Sequence, residues 1–188
     1  IDNPPIKALS PEVTKELDDT FKELNERNDV RAVILTGQGR AFVAGANIRV
    51  FLEMDREKGE KYALAVTEMQ QKIQEFNWPV IAAINGYALG GGCEICLAAD
   101  RVRYAAETYM GLVEVGVGLL PAGGGTKELL VRNTEHLFEV PKGGLYPKQI
   151  ELMPFVARAF ETIATAKVAT SGPEAVKLGY LKKTDSMT

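Results

Sequence analysis

Asn85-Gly86-Tyr87-Ala88-Leu89-Gly90-Gly91-Gly92-Cys93-Glu94 is the stretch on which the reading of this chain turns. An apolar run, Pro79 to Ile84, precedes it and reads as a buried strand. The residues Cys93 to Ala99 can form a helix. Three glycines at a strand-to-helix turn leave backbone N–H groups uncovered by any Cβ. A helix start adds orphan donors and a positive dipole end. Together they make a place for an anion, or for an oxygen that becomes anionic during a reaction. Glu94 falls in the first turn of that helix, and a carboxylate beside such a site is an arrangement for proton transfer. Glycines that only permit close packing, with Glu94 complementing the dipole, are the competing reading. These ten residues alone leave both open.

Working outward, 188 residues make one large domain or one and a half small ones. With 46% hydrophobic and 25% charged residues the chain has ordinary globular composition. A net charge of −3 provides no broad basic face, so a nucleic-acid partner is not expected. No apolar run has the length to span a bilayer, and the N-terminus lacks a signal-peptide pattern. Cys93 and Cys96 lie three apart among Ile95, Leu97 and Ala98, without a second pair. They read as buried core residues rather than a redox pair, and a cytoplasmic location is expected. A zinc site needs about four ligands. The one histidine, His136, is far away in sequence, so no metal is expected.

Upstream, Ser10 is a good N-cap and Pro11 a good first helical residue. Val13, Leu17, Phe21 and Leu24 then predict an amphipathic helix over 11–27. Arg31 to Thr36 reads as a buried strand. Ala41 to Arg49 is a small-residue stretch that admits a ligand close to the backbone, or else a strand running into a loop. Tyr62, Val66, Met69, Ile73 and Phe76 mark a second amphipathic helix over 59–76, which Trp78-Pro79 ends. Downstream, Asp100 to Ala105 reads as a strand, 133–149 as a loop, and Phe155 to Ala169 as a helix. Ser171 caps a short helix that runs to Leu178 and stops at Gly179. The order of elements favours stacked ββα-like turns over a doubly wound sheet, although periodicity alone does not separate the two.

Glu114 is the one charge in an apolar, glycine-spaced stretch from Tyr109 to Pro121. Such a carboxylate is either exposed at a turn or buried with a raised pKa, and the buried case marks a functional candidate. Gly123-Gly124-Gly125-Thr126 lacks the spacing of a phosphate-binding or dinucleotide loop and reads as backbone packing or helix entry.

With these residues in place the chain resembles the crotonase (enoyl-CoA hydratase/isomerase) superfamily. Five pieces match in order. They are Asn3-Pro4-Pro5 with Ala8-Leu9-Ser10; Ala44 to Ile48; Pro79 to Gly86; Gly90 to Glu94; and Glu114 to Gly118 followed by Pro121-Ala122-Gly123-Gly124. Each is weak alone, and five in register over about residues 1–130 are specific. The downstream part is similar to the hydratase domain of bacterial proteins that carry a 3-hydroxyacyl-CoA dehydrogenase.

The resemblance implies an α/β fold, a crotonase-type spiral of ββα turns with an incomplete C-terminal helical region. It implies a spiral core over 1–130 and a loop and helical region over 131–188. The thioester carbonyl of an acyl-CoA would lie between the N–H groups of Ala46 and Gly91. Glu94 and Glu114 would act on a water and on C2, the chemistry of a trans-2-enoyl-CoA hydratase in β-oxidation. Substrate contacts would come from Lys7, Ala8 and Leu9, from Ala44, Ala46, Asn47, Ile48 and Arg49, and from Gly90 and Gly91. Asn47 stands where an acidic residue is common and Lys7 where asparagine is common. No metal or redox cofactor is required, since coenzyme A is part of the substrate. A homo-trimer or hexamer and a fused or associated 3-hydroxyacyl-CoA dehydrogenase are the partners implied. A Δ3-Δ2 enoyl-CoA isomerase and an acyl-CoA-binding chain without turnover are the alternatives.

Overall fold

The computed structural model of the chain describes residues 1–3, 8–138 and 150–188. Helix α1 (Pro11–Asn25) starts as its cap predicts, with the Ser10 hydroxyl accepting from the Val13 N–H at 3.3 Å. Strands β1 (Val33–Thr36) and β2 (Ala41–Val43) follow, then a short helix α2 (Ile48–Phe51) and the long α3 (Arg56–Gln74). Next come β3 (Val80–Ile84), β4 (Tyr87–Leu89) and α4 (Gly91–Ala98), then β5 (Arg101–Tyr104), β6 (Tyr109–Gly111) and a 3₁₀ turn, Glu114–Val117. Helices α5 (Gly125–Thr134) and α6 (Met153–Ala164), strand β7 (Val168–Ala169), α7 (Gly172–Leu178) and β8 (Ser186–Met187) complete the described chain.

The strands form two four-stranded sheets, one ordered β1-β3-β5-β8 and the other β2-β4-β6-β7. Every pair is parallel except β6 with β7. Each of the first three turns therefore lays one strand in the first sheet, one in the second and then a helix, and the last turn reverses the order, with β7 in the second sheet before β8 in the first. This is the spiral of ββα turns. The register is Val33↔Val80 and Ile81↔Arg101 in one sheet, and Tyr87↔Tyr109 in the other.

Helix α4 lies at the centre. All eight of its residues are buried, Cys93 and Cys96 among them as free thiols. A helix whose only polar side chain is Glu94 has no solvent face and belongs in the core. Its glycines set how closely it docks: a Cβ on Gly92 would lie 2.3 Å from the Val43 carbonyl oxygen. Phe42, Val43, Met69, Ile73, Val80, Val102 and Leu129 close the core around it.

Three expectations change. The strand expected as buried over Arg31 to Thr36 covers only Val33–Thr36, where Leu35 is buried and Ile34 is exposed. The residues between β3 and the helix are not a simple turn, because Tyr87–Leu89 forms β4. The helix expected over 155–169 ends at Ala164. Ala166 takes a positive φ of 46°, and the next residues pair with β6 as β7. The loop expected over 133–149 falls largely outside the described residues. Its beginning continues α5 to Thr134 and adds a 3₁₀ turn, Glu135–Leu137.

Candidate active site

A cavity of about 670 Å³ opens where the second turn of the spiral meets its neighbours. Its wall takes Gly90, Gly91 and Glu94 from the start of α4, and Ala44, Gly45, Ala46 and Ile48 from the segment after β2. Glu114 and Val117 to Leu120 come from the segment after β6. Phe51, Met54, Tyr62 and Val66, from α2 and α3 and the link between them, form an apolar end.

The backbone donors follow from local geometry. Gly90 spends its own N–H on the Gly111 carbonyl at 2.8 Å and takes φ +52°, which turns the chain into α4. The N–H of Gly91 then belongs to the first helical turn, where the helix offers no carbonyl partner. On the other side, Leu9 and Ala46 make a parallel bridge. Leu9 donates to the Gly45 carbonyl and accepts from the Asn47 N–H, each at 2.8 Å. In that pattern Leu9 bonds the two neighbours of its partner, so the N–H of Ala46 itself points away from Leu9.

Glu94 is 4% exposed. One carboxylate oxygen accepts from the Gly125 N–H at 2.8 Å and the other from the Gln70 amide at 3.5 Å. Burial raises its pKa, and these hydrogen bonds act the other way. Glu114 sits at the head of the 3₁₀ turn, and a Cβ on Gly90 would lie 3.2 Å from its Oε1. Its Oε2 is buried with no hydrogen-bond partner in the protein. Burial first, and then the negative charge of Glu94, push its pKa up to about 7. Two carboxyl groups that face one cavity, the charge of one raising the pKa of the other, can hold one proton between them.

Of the substrate contacts expected from sequence, Leu9, Ala44, Ala46, Ile48, Gly90 and Gly91 are in the cavity wall. Ala8, Asn47 and Arg49 lie beside it. The Ala8 carbonyl accepts from the Asn3 amide, the Asn47 side chain caps α2 by accepting from the Arg49 N–H at 3.3 Å, and Arg49 is exposed. Lys7 lies outside the described residues. Two residues were not singled out from sequence. Gln70 is a polar position among Val66, Met69 and Ile73 on the buried face of α3, and that misplaced polarity is the signal that could have found it. Gly125 came from a cluster read as packing, and it is also a donor to Glu94.

Comparison with known proteins bears on the family. Residues 1–136 match the family model for enoyl-CoA hydratase/isomerase. The chain is 39% identical over 170 residues to a probable 3-hydroxyacyl-CoA dehydrogenase of Bacillus subtilis, covering 88% of this chain and 20% of that protein. It is 35% identical over 187 residues to a short-chain-enoyl-CoA hydratase of Clostridium acetobutylicum, covering 92% of this chain and 71% of that one. The crystal structure of an enoyl-CoA hydratase from Bacillus anthracis superposes with a TM-score of 0.75 at 31% identity, covering 96% of this chain and 61% of the other. The chain thus spans only a part of the proteins it resembles. Its matched residues, its two stacked sheets and its buried α4 place it in the enoyl-CoA hydratase/isomerase family, the crotonase superfamily.

Proposed function

We propose that this chain adds water across the C2=C3 bond of a trans-2-enoyl-CoA to give a 3-hydroxyacyl-CoA, the hydration step of fatty-acid β-oxidation. The observation that carries this reading is a pair of carboxyl groups, Glu94 and Glu114, that face one cavity with Ala46 and Gly91 in its wall. The thioester oxygen accepts from the N–H groups of Ala46 and Gly91 and draws electron density from C3. Glu94, with both oxygens already accepting hydrogen bonds, is the group held ready as a carboxylate. It takes a proton from water as the water oxygen bonds to C3. The enolate that forms carries its charge between the two N–H donors, an effect worth about 10²–10³ in rate per donor. Glu114, which keeps its proton up to about pH 7, gives it to C2. One water is consumed, and a proton must return from Glu94 to Glu114 before the next turnover.

Lys7, Ala8, Leu9, Ala44, Asn47, Ile48, Arg49 and Gly90 are proposed to line the coenzyme A and acyl path. A 3-hydroxyacyl-CoA dehydrogenase, fused or associated, is the proposed partner, and the similarity to the Bacillus subtilis protein supports it. A homo-trimer or hexamer is proposed for the whole protein, with Leu152, Met153 and Phe160 as exposed apolar residues available for contact. A cytoplasmic setting fits two buried free thiols, and no helix among the described residues is long and apolar enough to cross a membrane.

Crotonyl-CoA hydration, followed by loss of enoyl absorbance, tests the reading. The chain turns over, and Glu94→Gln and Glu114→Gln each lower kcat by about 10²–10⁴. A chain that neither turns over nor binds the thioester overturns it. The different surroundings of the two carboxyl groups favour one second reading, a Δ3-Δ2 isomerase that moves a proton with a single glutamate. In that case the two variants differ by orders of magnitude.

A further inference from the structure

Tyr180 is fully buried, and its hydroxyl stands between two backbone groups. It donates to the Lys167 carbonyl at 2.7 Å and accepts from the Leu112 N–H at 3.4 Å. The register of β6 with β7 is Met110↔Ala169 and Gly111↔Val168, so an unbroken antiparallel ladder would next set Leu112 against Lys167. Lys167 instead gives its N–H to the Thr162 carbonyl, and the phenol occupies the missing rung. The chain leaves the ladder at Leu112, and two residues later it presents Glu114 to the cavity. Burial holds the phenol in its protonated form, so the donor to Lys167 is permanent and a lone pair stays free for Leu112.

We infer that Tyr180 is a positioning residue for Glu114: its hydroxyl is the spacer rung that fixes where β6 ends and where the carboxyl group of Glu114 stands. Without the hydroxyl, Leu112 and Lys167 either close on each other and pull the segment toward β7, or stay apart with two buried groups unpaired. The first change moves Glu114 relative to Gly90 and Glu94, and the second leaves the end of β6 that carries Glu114 no longer held in one place. Tyr180 itself is not in the cavity wall.

The inference rests on the hydratase reading, and its test separates the two. Tyr180→Phe keeps the ring and removes the rung. With crotonyl-CoA, kcat falls about tenfold or more while KM stays within about twofold. In the Glu114→Gln background the same substitution costs nothing further, since it acts through Glu114. An unchanged kcat, or the same loss in both backgrounds, overturns the inference. Amide hydrogen exchange on the unaltered protein tests the rung without any variant or activity. The Leu112 amide exchanges as slowly as the ladder amides of β6, and fast exchange at Leu112 overturns the inference even if hydration is confirmed.

Discussion

Glu94 is buried and Glu114 half-buried with one buried carboxyl oxygen, and the proposed mechanism gives the two different tasks. Because the two interact, the pH profile belongs to the pair. The kcat/KM for hydration falls as pH rises through about 7, where the proton assigned to Glu114 is lost, and falls on the acid side as Glu94 takes one up. A profile without the basic limb would remove Glu114 from the acid role. Stability carries the same signature. The pKa of Glu114 is higher in the folded chain than its ordinary value near 4.5, so the folded state binds more protons between the two values. That stability is fully present below pH 4.5 and is lost as pH rises through about 7. Glu114→Gln is therefore more stable than the parent at pH 8, by on the order of 2 kcal/mol, and the difference vanishes near pH 4. Thermal melts across that range check the sign. Gly123 belongs to the same scale. A Cβ there would lie 2.5 Å from the Gln70 amide nitrogen and 2.6 Å from Glu94 Oε2. Gly123→Ala displaces the carboxylate and lowers kcat by about 10², the cost of a misplaced reacting group, while circular dichroism stays native.

At the scale of elements, α4 is docked by its glycines. Gly92→Ala brings a methyl group against the Val43 backbone, which cannot swing aside as a side-chain tip can. It destabilises the fold by about 3 kcal/mol, read by urea melts. Gly91→Ala meets only the end of the Leu9 side chain and costs much less. The elements were unevenly legible in the sequence. Long amphipathic pieces with caps, α1 and α3, came through within a few residues, because burial of one face repeats at helical spacing. Strand β4 did not, since three residues beside glycines carry no periodicity and their partners, β2 and β6, are distant in sequence. The candidate site was legible where chemistry lies in a residue type, as at Glu94 and Glu114, which both line the cavity. It was not legible where a residue acts by what it touches. Gln70 and Gly125 meet Glu94 across 24 and 31 positions.

Across the whole molecule, one buried tie joins the spiral to the end of the described chain. Arg132 on α5 reaches the Leu97 carbonyl at 2.9 Å and the Cys96 carbonyl at 3.4 Å, at the end of α4, and the Tyr180 carbonyl at 3.2 Å. Its guanidinium lies 3.9 Å from Asp185, which accepts from the Val102 N–H at 2.9 Å. Both side chains are nearly inaccessible, at 5% and 1% exposure. Removing one member of such a pair strands the other charge, so Arg132→Met costs about 3–5 kcal/mol in denaturant unfolding. Loss of less than about 1 kcal/mol would show that Asp185 is held by its backbone donors alone.

The helix that carries Glu94 has no face on the solvent, whereas Glu114 stands on a single 3₁₀ turn at the rim of the same cavity. This divides what mutation can explore. A change that relocates Glu94 must repack the centre of the protein and is purged as a folding defect. The turn at Glu114 can be rebuilt, shortened or stripped of its carboxyl group while the rest of the scaffold holds. New reactions in such a lineage should therefore arise by tinkering after β6, with α4 inherited as a fixed point of reference.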